Sequence, residues 1–397
     1  MPTDLPPAGA ATSPGVRAGL RPLLAAGFVT AFGAHAIAAT LGRYATGRHA
    51  SLVELGVLLA LYDGAEVILK PAFGALADRI GPRPVLLGGL LAFAGASAGF
   101  VAAGQPGALA ATRLAQGAAA AAFSPAASAL VARLSPDRHQ GRWFGSYGAW
   151  KGLGYTLGPL LGGALVSLGG FPLLFATLAG LALVVAGWAA AAVPASPPLP
   201  KARQTLLGLA HRLRQPSFVQ PTLALGAATA ALSVGVGFLP VRGAATGLGP
   251  VATGAAVSLL AASAALVQPR AGRAYDAGRL PGPLGTATGL ALAAAGFAAA
   301  LLPGPAAVGL AAIMIGTGTG MVTPLGFAAL AAAAPPGRLG QTMGAAEVGR
   351  ELGDAGGPLL VGAIAGAAGL GLGLLSLAAG LLGAAAWATA QRPTTRS

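Results

Sequence analysis

The sequence predicts an all-α membrane protein whose twelve transmembrane helices form two pseudo-symmetric six-helix bundles. Three observations carry this prediction. Of the 397 residues, 55% are hydrophobic and only 9% charged, with a mean hydropathy of +0.73, against roughly 25% charge in a soluble domain. Apolar runs near the length needed to cross a bilayer follow one another along the chain, separated by Gly, Pro and Arg clusters. The two halves also carry the same punctuation. Lys70-Pro71-Ala-Phe-Gly74-Ala-Leu-Ala-Asp78 recurs as Gln268-Pro269-Arg-Ala-Gly272-Arg-Ala-Tyr-Asp276, and Gly154-Tyr-Thr-Leu-Gly158-Pro159-Leu-Leu recurs as Gly353-Asp-Ala-Gly-Gly357-Pro358-Leu-Leu. Gly117, Ser124-Pro125, Pro136 and Gly145 face Gly316, Thr323-Pro324, Pro335 and Gly344 in the same register, and Lys151 faces Arg350.

Residues 1–19 are polar and Pro-rich and read as a disordered tail, so the first apolar run is expected to remain a membrane span rather than a cleaved leader. The N-terminal bundle, 20–192, has spans near 20–41, 53–76, 85–103, 107–131, 143–168 and 171–192. A polar linker follows at 193–218, with Lys201, Arg203, Arg212 and Arg214 and an expected amphipathic helix at 206–213 on the membrane surface. The C-terminal bundle, 219–389, has spans near 219–241, 250–269, 284–302, 306–333, 342–366 and 369–389, and 390–397 form a short tail. With both termini in the cytoplasm, Arg17, Arg21, Arg79, Arg83, Arg133, Arg138, Arg142, the linker cations, Arg270, Arg273, Arg279, Arg338, Arg392 and Arg396 fall inside, and Arg43, Arg48 and Arg242 outside. The positive-inside rule thus accounts for the formal charge of +14 without a nucleic-acid partner.

No disulfide or thiolate metal site is possible without cysteine, and four scattered histidines do not make a metal centre. No cofactor is expected. No nucleophile–base or metal-ligand spacing suggests an enzyme.

Gly74-Ala-Leu-Ala-Asp78-Arg79-Ile-Gly81-Pro82-Arg83 resembles the signature of the loop between helices 2 and 3 in the major facilitator superfamily, although Pro82 replaces a usual cation and the second copy is eroded. Gly74 lets helices approach, Asp78 and Arg79 can make charge-assisted contacts at a cytoplasmic gate with Arg83 nearby, and Gly81 permits a tight turn. Arg113-Leu-Ala-Gln116-Gly117 resembles the helix 4 element that the superfamily associates with proton coupling. An arginine there either faces a wet cavity or a carboxylate, or snorkels to the outer headgroups. Gly154-Tyr-Thr-Leu-Gly158-Pro159-Leu-Leu-Gly162-Gly163 is similar to the helix 5 signature of drug and metabolite antiporters. Its glycines are expected to form a smooth packing face, and Pro159, like Gly357-Pro358 in the second copy, to bend its helix where the halves meet.

Asp63 and Glu66 lie inside helix 2 and Glu347, Glu351 and Asp354 inside helix 11, where each ionised group costs on the order of 3 kcal/mol on insertion scales. Helical spacing puts Asp63, Glu66 and Lys70 on one face, and Glu347, Arg350, Glu351 and Asp354 on another. In the superfamily fold, helices 2 and 11 meet between the halves. Lys70 is then expected to approach Glu347 or Glu351, and Glu66 to reach Arg350, closing the cytoplasmic gate. Asp63, Glu66 or Asp354 is the expected proton site, with Arg113 and Lys151 as counter-charges. The alternative is a static network that merely holds the halves together.

By the same resemblance helices 1, 4, 7 and 10 line the central path. That nominates His35, Arg113, Phe238 and Phe327, with Tyr62, Trp150 and Lys151 from neighbours, although a membrane Phe more often packs than binds. The resemblance implies a monomeric carrier in a bacterial cytoplasmic membrane, most readily a proton-coupled antiporter exporting a small amphipathic molecule. The alternatives are a proton symporter or facilitator importing a metabolite, and a non-transporting sensor.

Overall fold

The computed structural model describes residues 14–46, 52–103, 105–135, 139–195 and 214–390. The expected tails and the helix at 206–213 lie wholly or largely outside them. Among the described residues, eleven helical runs make up the fold: α1 (Pro14–Thr46), α2 (Leu52–Ile80), α3 (Pro82–Ala102), α4 (Pro106–Leu134), the run Gln140–Ala192, α7 (Pro216–Ala245), α8 (Pro250–Asp276), α9 (Gly282–Ala299), α10 (Pro305–Ala333), α11 (Leu339–Ala368) and α12 (Leu370–Ala390). The run Gln140–Ala192 leaves helical geometry at Gly169 and Gly170, where Gly170 has φ 72°. It therefore supplies two arms, α5 (140–168) and α6 (171–192).

The neighbours of α1 give the direction of these arms. Gly154, Gly158 and Gly162 meet Phe28, His35 and Ala36 in turn, so α5 runs alongside α1 in the same sense. Leu178 meets Gly33 and Ala192 meets Gly19, so α6 returns in the opposite sense. Gly369, with φ 91°, makes the corresponding turn between α11 and α12 at the matching place in the repeat. Only a residue without Cβ takes that backbone conformation at little cost.

Proline and glycine set many of the other boundaries. Pro82, Pro106, Pro216, Pro250 and Pro305 open α3, α4, α7, α8 and α10, where the missing N–H would have had no intrahelical partner. Gly81, at φ 93°, makes the tight turn before α3, and the proline in the cation's place is simply the first residue of that helix. Helix α1 starts at Pro14, several residues ahead of the expected span.

Each half has its own apolar core. Phe93 and Phe123 cross edge to face in the first, Phe100 stacks on Phe175, and in the second Phe297, Ile315 and Leu381 are buried among alanines. Nine of the runs are long and apolar enough to cross a membrane. The two that are not, α2 and α11, carry Asp63, Glu66, Lys70, Glu347, Arg350, Glu351 and Asp354.

The glycine signature of α5 lies inside one half rather than between halves. Gly154, Gly158 and Gly162 seat α5 on α1, and Gly357 seats α11 on Ala230 of α7, whereas nothing approaches Gly163 within 4 Å. The sharp break in helical geometry falls at Gly169–Gly170 and not at Pro159, which remains within the helical arm. A Cβ at Gly158 would stand 2.9 Å from the Cβ of His35 and 3.0 Å from the Phe32 carbonyl oxygen. Gly158→Val is therefore expected to cost about 1–3 kcal/mol through overpacking, read as a lower midpoint of thermal unfolding in detergent, while Gly163→Ala, with open space for its methyl, does not lower that midpoint and raises it slightly.

Candidate functional site

The two halves close on each other at one end of the molecule, where α2 and α8 finish and α11 and α5 begin. Glycines allow backbone to meet backbone there. Cβ atoms at Gly74, Gly340, Gly344, Gly141 and Gly145 would each overlap backbone of the opposite half. Asp78 accepts hydrogen bonds from the amides of Gly340 (2.7 Å) and Gln341 (2.8 Å) in the first turn of α11. Its counterpart Asp276 accepts from Gly141 (2.8 Å) and Arg142 (2.7 Å) in the first turn of α5. First-turn amides have no partner inside their own helix and carry the positive end of its dipole, so a carboxylate is their natural acceptor. Two pseudo-symmetric caps thus bolt each half to the other.

Sequence reasoning overlooked the second cap because the copy loses the Arg-x-Gly run that follows Asp78 and keeps only Pro269, Gly272 and Asp276. The register of Asp276 with Asp78 was the available signal. Arg79 is exposed, and Arg83 donates to the Ala190 carbonyl oxygen (2.6 Å) near the end of α6, within its own half. Neither arginine takes the cross-half gate role expected of it, because the backbone amides of α11 and α5 are the partners there.

Farther along the interface lies a charged seam. Lys70 on α2, 1% exposed, reaches Glu351 at 2.6 Å and Glu347 at 3.9 Å on α11, and Glu66 one turn back on its own helix at 3.2 Å. Glu347 is wholly buried, and the same carboxylate oxygen meets Lys151 of α5 at 3.4 Å and Arg350 at 3.2 Å. Lys70 therefore approaches both expected glutamates, with Glu351 much the nearer. The expected Glu66–Arg350 pair does not form. Arg350 turns to Glu347 three residues back, its guanidinium 5.7 Å from the ring of Phe327, and Glu66 is taken by Lys70.

Next to the seam is a cavity of about 170 Å³ whose walls include His35, Tyr62, Asp63, Glu66, Arg113, Lys151, Glu351 and Asp354. Asp63 and Asp354, a turn farther from the closed end, are exposed and form no ion pair among the described residues. Arg113 is 2% exposed, hydrogen-bonded to Gln116 (2.8 Å) and centred 4.2 Å over the Tyr62 ring, so it faces the cavity and does not snorkel. His35 Nδ1 lies 3.1 Å from the Ala31 carbonyl oxygen, and its ring meets Tyr155 at 4.3 Å.

Phe327 borders a smaller cavity on the other side of the seam, with Tyr147, Gln268 and Arg350, and stacks across the interface on Phe144 at 5.4 Å. Two aromatic candidates fall elsewhere. Trp150 is 44% exposed and packs edge-on against Phe28, since the residue before Lys151 points about 100° away around the helix. Phe238 packs against the apolar core of the second half. Tyr155 lines both cavities and was overlooked, although it stands one turn after Lys151 on the same face.

Buried ion pairs are most sensitive to loss of one member, an expected cost of about 3–5 kcal/mol. Glu347→Gln strips Lys151 and Arg350 of their carboxylate, and Lys70→Met strips Glu66 and Glu351 of their cation. Both are expected to lower the midpoint of thermal unfolding far more than Glu351→Gln, which leaves Lys70 with Glu66. The double variant Lys70→Met/Glu351→Gln should regain part of the Lys70→Met loss.

Residues 23–358 match the family model described as Major Facilitator Superfamily. The chain is 40% identical over 132 residues to the class E tetracycline resistance protein of Escherichia coli, covering 33% of this chain and 32% of that one. It is 29% identical over 115 residues to the quinolone resistance protein NorA of Staphylococcus aureus, covering 29% and 30%. The chain thus spans about a third of the length of these relatives. Among solved structures, the human organic anion transporter MFSD10 superposes with a TM-score of 0.79 at 18% identity, covering 95% of this chain and 100% of that one. The Escherichia coli fucose:proton symporter FucP superposes at 0.75 with 14% identity, covering 94% and 98%. Paired helical halves, a seam of buried charge between them and a family match across most of the sequence lead to one conclusion: this chain belongs to the Major Facilitator Superfamily of multi-pass membrane transporters.

Proposed function

We propose that the protein is a proton-coupled antiporter that exports a small amphipathic molecule across a bacterial cytoplasmic membrane, working as a monomer without a cofactor. The observation that carries this reading is the contrast between a fully paired seam and two cavity carboxylates, Asp63 and Asp354, with no ion-pair partner among the described residues. An unpaired carboxylate beside a low-dielectric wall can take up a proton to shed its charge. Arg113 and Lys151 on the same walls set how readily it does so. Glu66 lines the same cavity but is tied to Lys70 on its own helix, which makes it the secondary candidate.

The closed end carries most of the cations, which supports assigning it to the cytoplasm. The conformation is then the outward-facing one of an alternating-access cycle. Opening toward the cytoplasm must break the two aspartate caps and the cross-half pairs Lys70–Glu351 and Lys151–Glu347. The pairs Glu66–Lys70 and Glu347–Arg350 lie within single helices and survive the parting of the halves. Two of the separating charges on each of α2 and α11 thereby keep a partner, which limits the cost of separation. The partial sequence similarity to tetracycline and quinolone resistance proteins supports export over import.

In proteoliposomes with an imposed pH gradient, antiport moves substrate into the more acidic compartment, whereas symport moves it into the more alkaline one. A panel including tetracyclines and fluoroquinolones, scored against protein-free liposomes, is expected to give the antiport direction. Asp63→Asn and Asp354→Asn should each abolish gradient-driven accumulation while leaving downhill equilibration. Unchanged coupling in both amides and in Glu66→Gln would refute the assignment of the proton to these acids. Asp78→Ala and Asp276→Ala are each expected to weaken the closed gate by about 1–2 kcal/mol, measured as about 5–30-fold faster thiol labelling of a cysteine placed at Ala77, which is wholly buried beside Gly340 of the opposite half and already carries a Cβ.

A further inference from the structure

Arg113 is a buried cation that forms no ion pair among the described residues. The residue is 2% exposed, its side chain donates to the neutral amide of Gln116 at 2.8 Å, and its Nε has no hydrogen-bond partner among the described residues. The amide itself is fixed, because Gln116 Nε2 donates to Ser97 Oγ at 3.3 Å and so keeps the amide oxygen toward Arg113. One of five guanidinium N–H groups is thus satisfied by a side chain, on a group that cannot become neutral by losing its proton. Tyr62, 5% exposed, covers one face of the guanidinium at 4.2 Å, which fixes its plane and leaves its edge to the cavity.

Asp63, the residue after Tyr62 on α2, lines the same cavity yet forms no salt bridge with Arg113. Asp354 of the opposite half stands in the same wall system, likewise without an ion pair among the described residues. His35 and Tyr155, ring to ring at 4.3 Å, supply aromatic wall to the cavity. One cavity therefore presents an unneutralised guanidinium deep in its wall, unneutralised carboxylates at its exposed side, and flat apolar surface. A purely cationic ligand would leave Arg113 bare, and a purely anionic one would leave the aspartates bare.

We infer that the cavity takes a zwitterionic aromatic molecule, its carboxylate on Arg113 and its ammonium on Asp63 and Asp354. This names the substrate class of the transport site and rests on that reading for the cavity being the substrate's seat. The arrangement also ties the two halves to one ligand, since Arg113 and Asp63 belong to the first half and Asp354 to the second. A molecule lacking either charge cannot engage all three. Each charge-assisted contact is lost with the matching charge on the ligand, and a buried group left unpaired adds to the loss.

The test uses full-length protein in detergent and calorimetric binding of three charge forms of two scaffolds, norfloxacin and 4-(piperazin-1-yl)benzoic acid. The zwitterion is compared with its methyl ester, which is cationic, and its N-acetyl derivative, which is anionic. In the wild type the zwitterion of at least one scaffold is expected to bind about tenfold or more tighter than either relative. Arg113→Gln should erase the advantage of zwitterion over ester, and Asp63→Asn/Asp354→Asn the advantage over the N-acetyl form. Arg113→Lys, which keeps the charge, should retain a zwitterion preference, and monodisperse elution of each variant checks its fold. An ester as tight as its zwitterion in both scaffolds, an equal loss for all three forms in Arg113→Gln, or no binding by any compound would each overturn the inference. Binding is read without a pH gradient, so the two readings fail separately. A chain that binds zwitterions yet moves nothing in liposomes contradicts the transport reading alone, and one that transports without charge preference contradicts this one alone.

Discussion

A single carboxylate organises the interface between the halves. Glu347, out of reach of solvent, is ringed by Lys70 from α2, Lys151 from α5 and Arg350 from its own helix. None of these groups would be tolerable alone in an apolar surround, and the penalty for an unpartnered charge exceeds what any single pair contributes. The charges must therefore stay together, and in staying together they hold α2, α5 and α11 in fixed register. This explains how α2 and α11, too charged to pass as simple membrane spans, nevertheless sit at the centre of a bundle whose other helical runs are long and apolar enough to cross a membrane. Their charges face one another and not the lipid.

The repeat makes the asymmetry of this arrangement plain. The α2–α11 and α5–α8 interfaces are counterparts, and both end in an aspartate capping a helix of the other half. Where Lys70, Glu347 and Glu351 meet on one side, the other has Gln268, Gly148 and Gly152. The amide of Gln268 lies directly over Gly148, occupying the space a side chain would need. Both interfaces thus rest on close backbone approach, and one of them adds a cluster of charge. The two interfaces share the scaffold of the duplication, while the cluster of cross-half ion pairs gathers around α2 and α11.

Much of the architecture could be read from the chain because bilayer physics writes it plainly. Span length, punctuation by Pro and Gly, and the register of the repeat all follow from the need to satisfy backbone polar groups within each helix. The meeting of Lys70 with Glu347 and Glu351 was legible because acids inside apolar helices must find partners and the family resemblance sets helices 2 and 11 side by side. The partners of Arg350 and Glu66 were not, because within one helix a neighbour three or four residues away competes with a group across the interface, and only geometry decides between them. The same limit applies to Trp150, where a phase difference of one residue separates the cavity wall from the outer face. Asp276 went unassigned because helix capping uses backbone amides, which leave no mark on side-chain identity in the partner helix.

The glycine-on-glycine meeting of Gly74 with Gly340, and of Gly141 with Gly272, has a kinetic corollary. Surfaces that interlock through long side chains must first withdraw each one through rotamer changes before they can part. Two bare backbones have no teeth to disengage, and they separate as smooth plates do. What resists the parting of the halves is then chiefly electrostatic, the undoing of helix caps and buried ion pairs, and not mechanical unpicking of interlocked side chains.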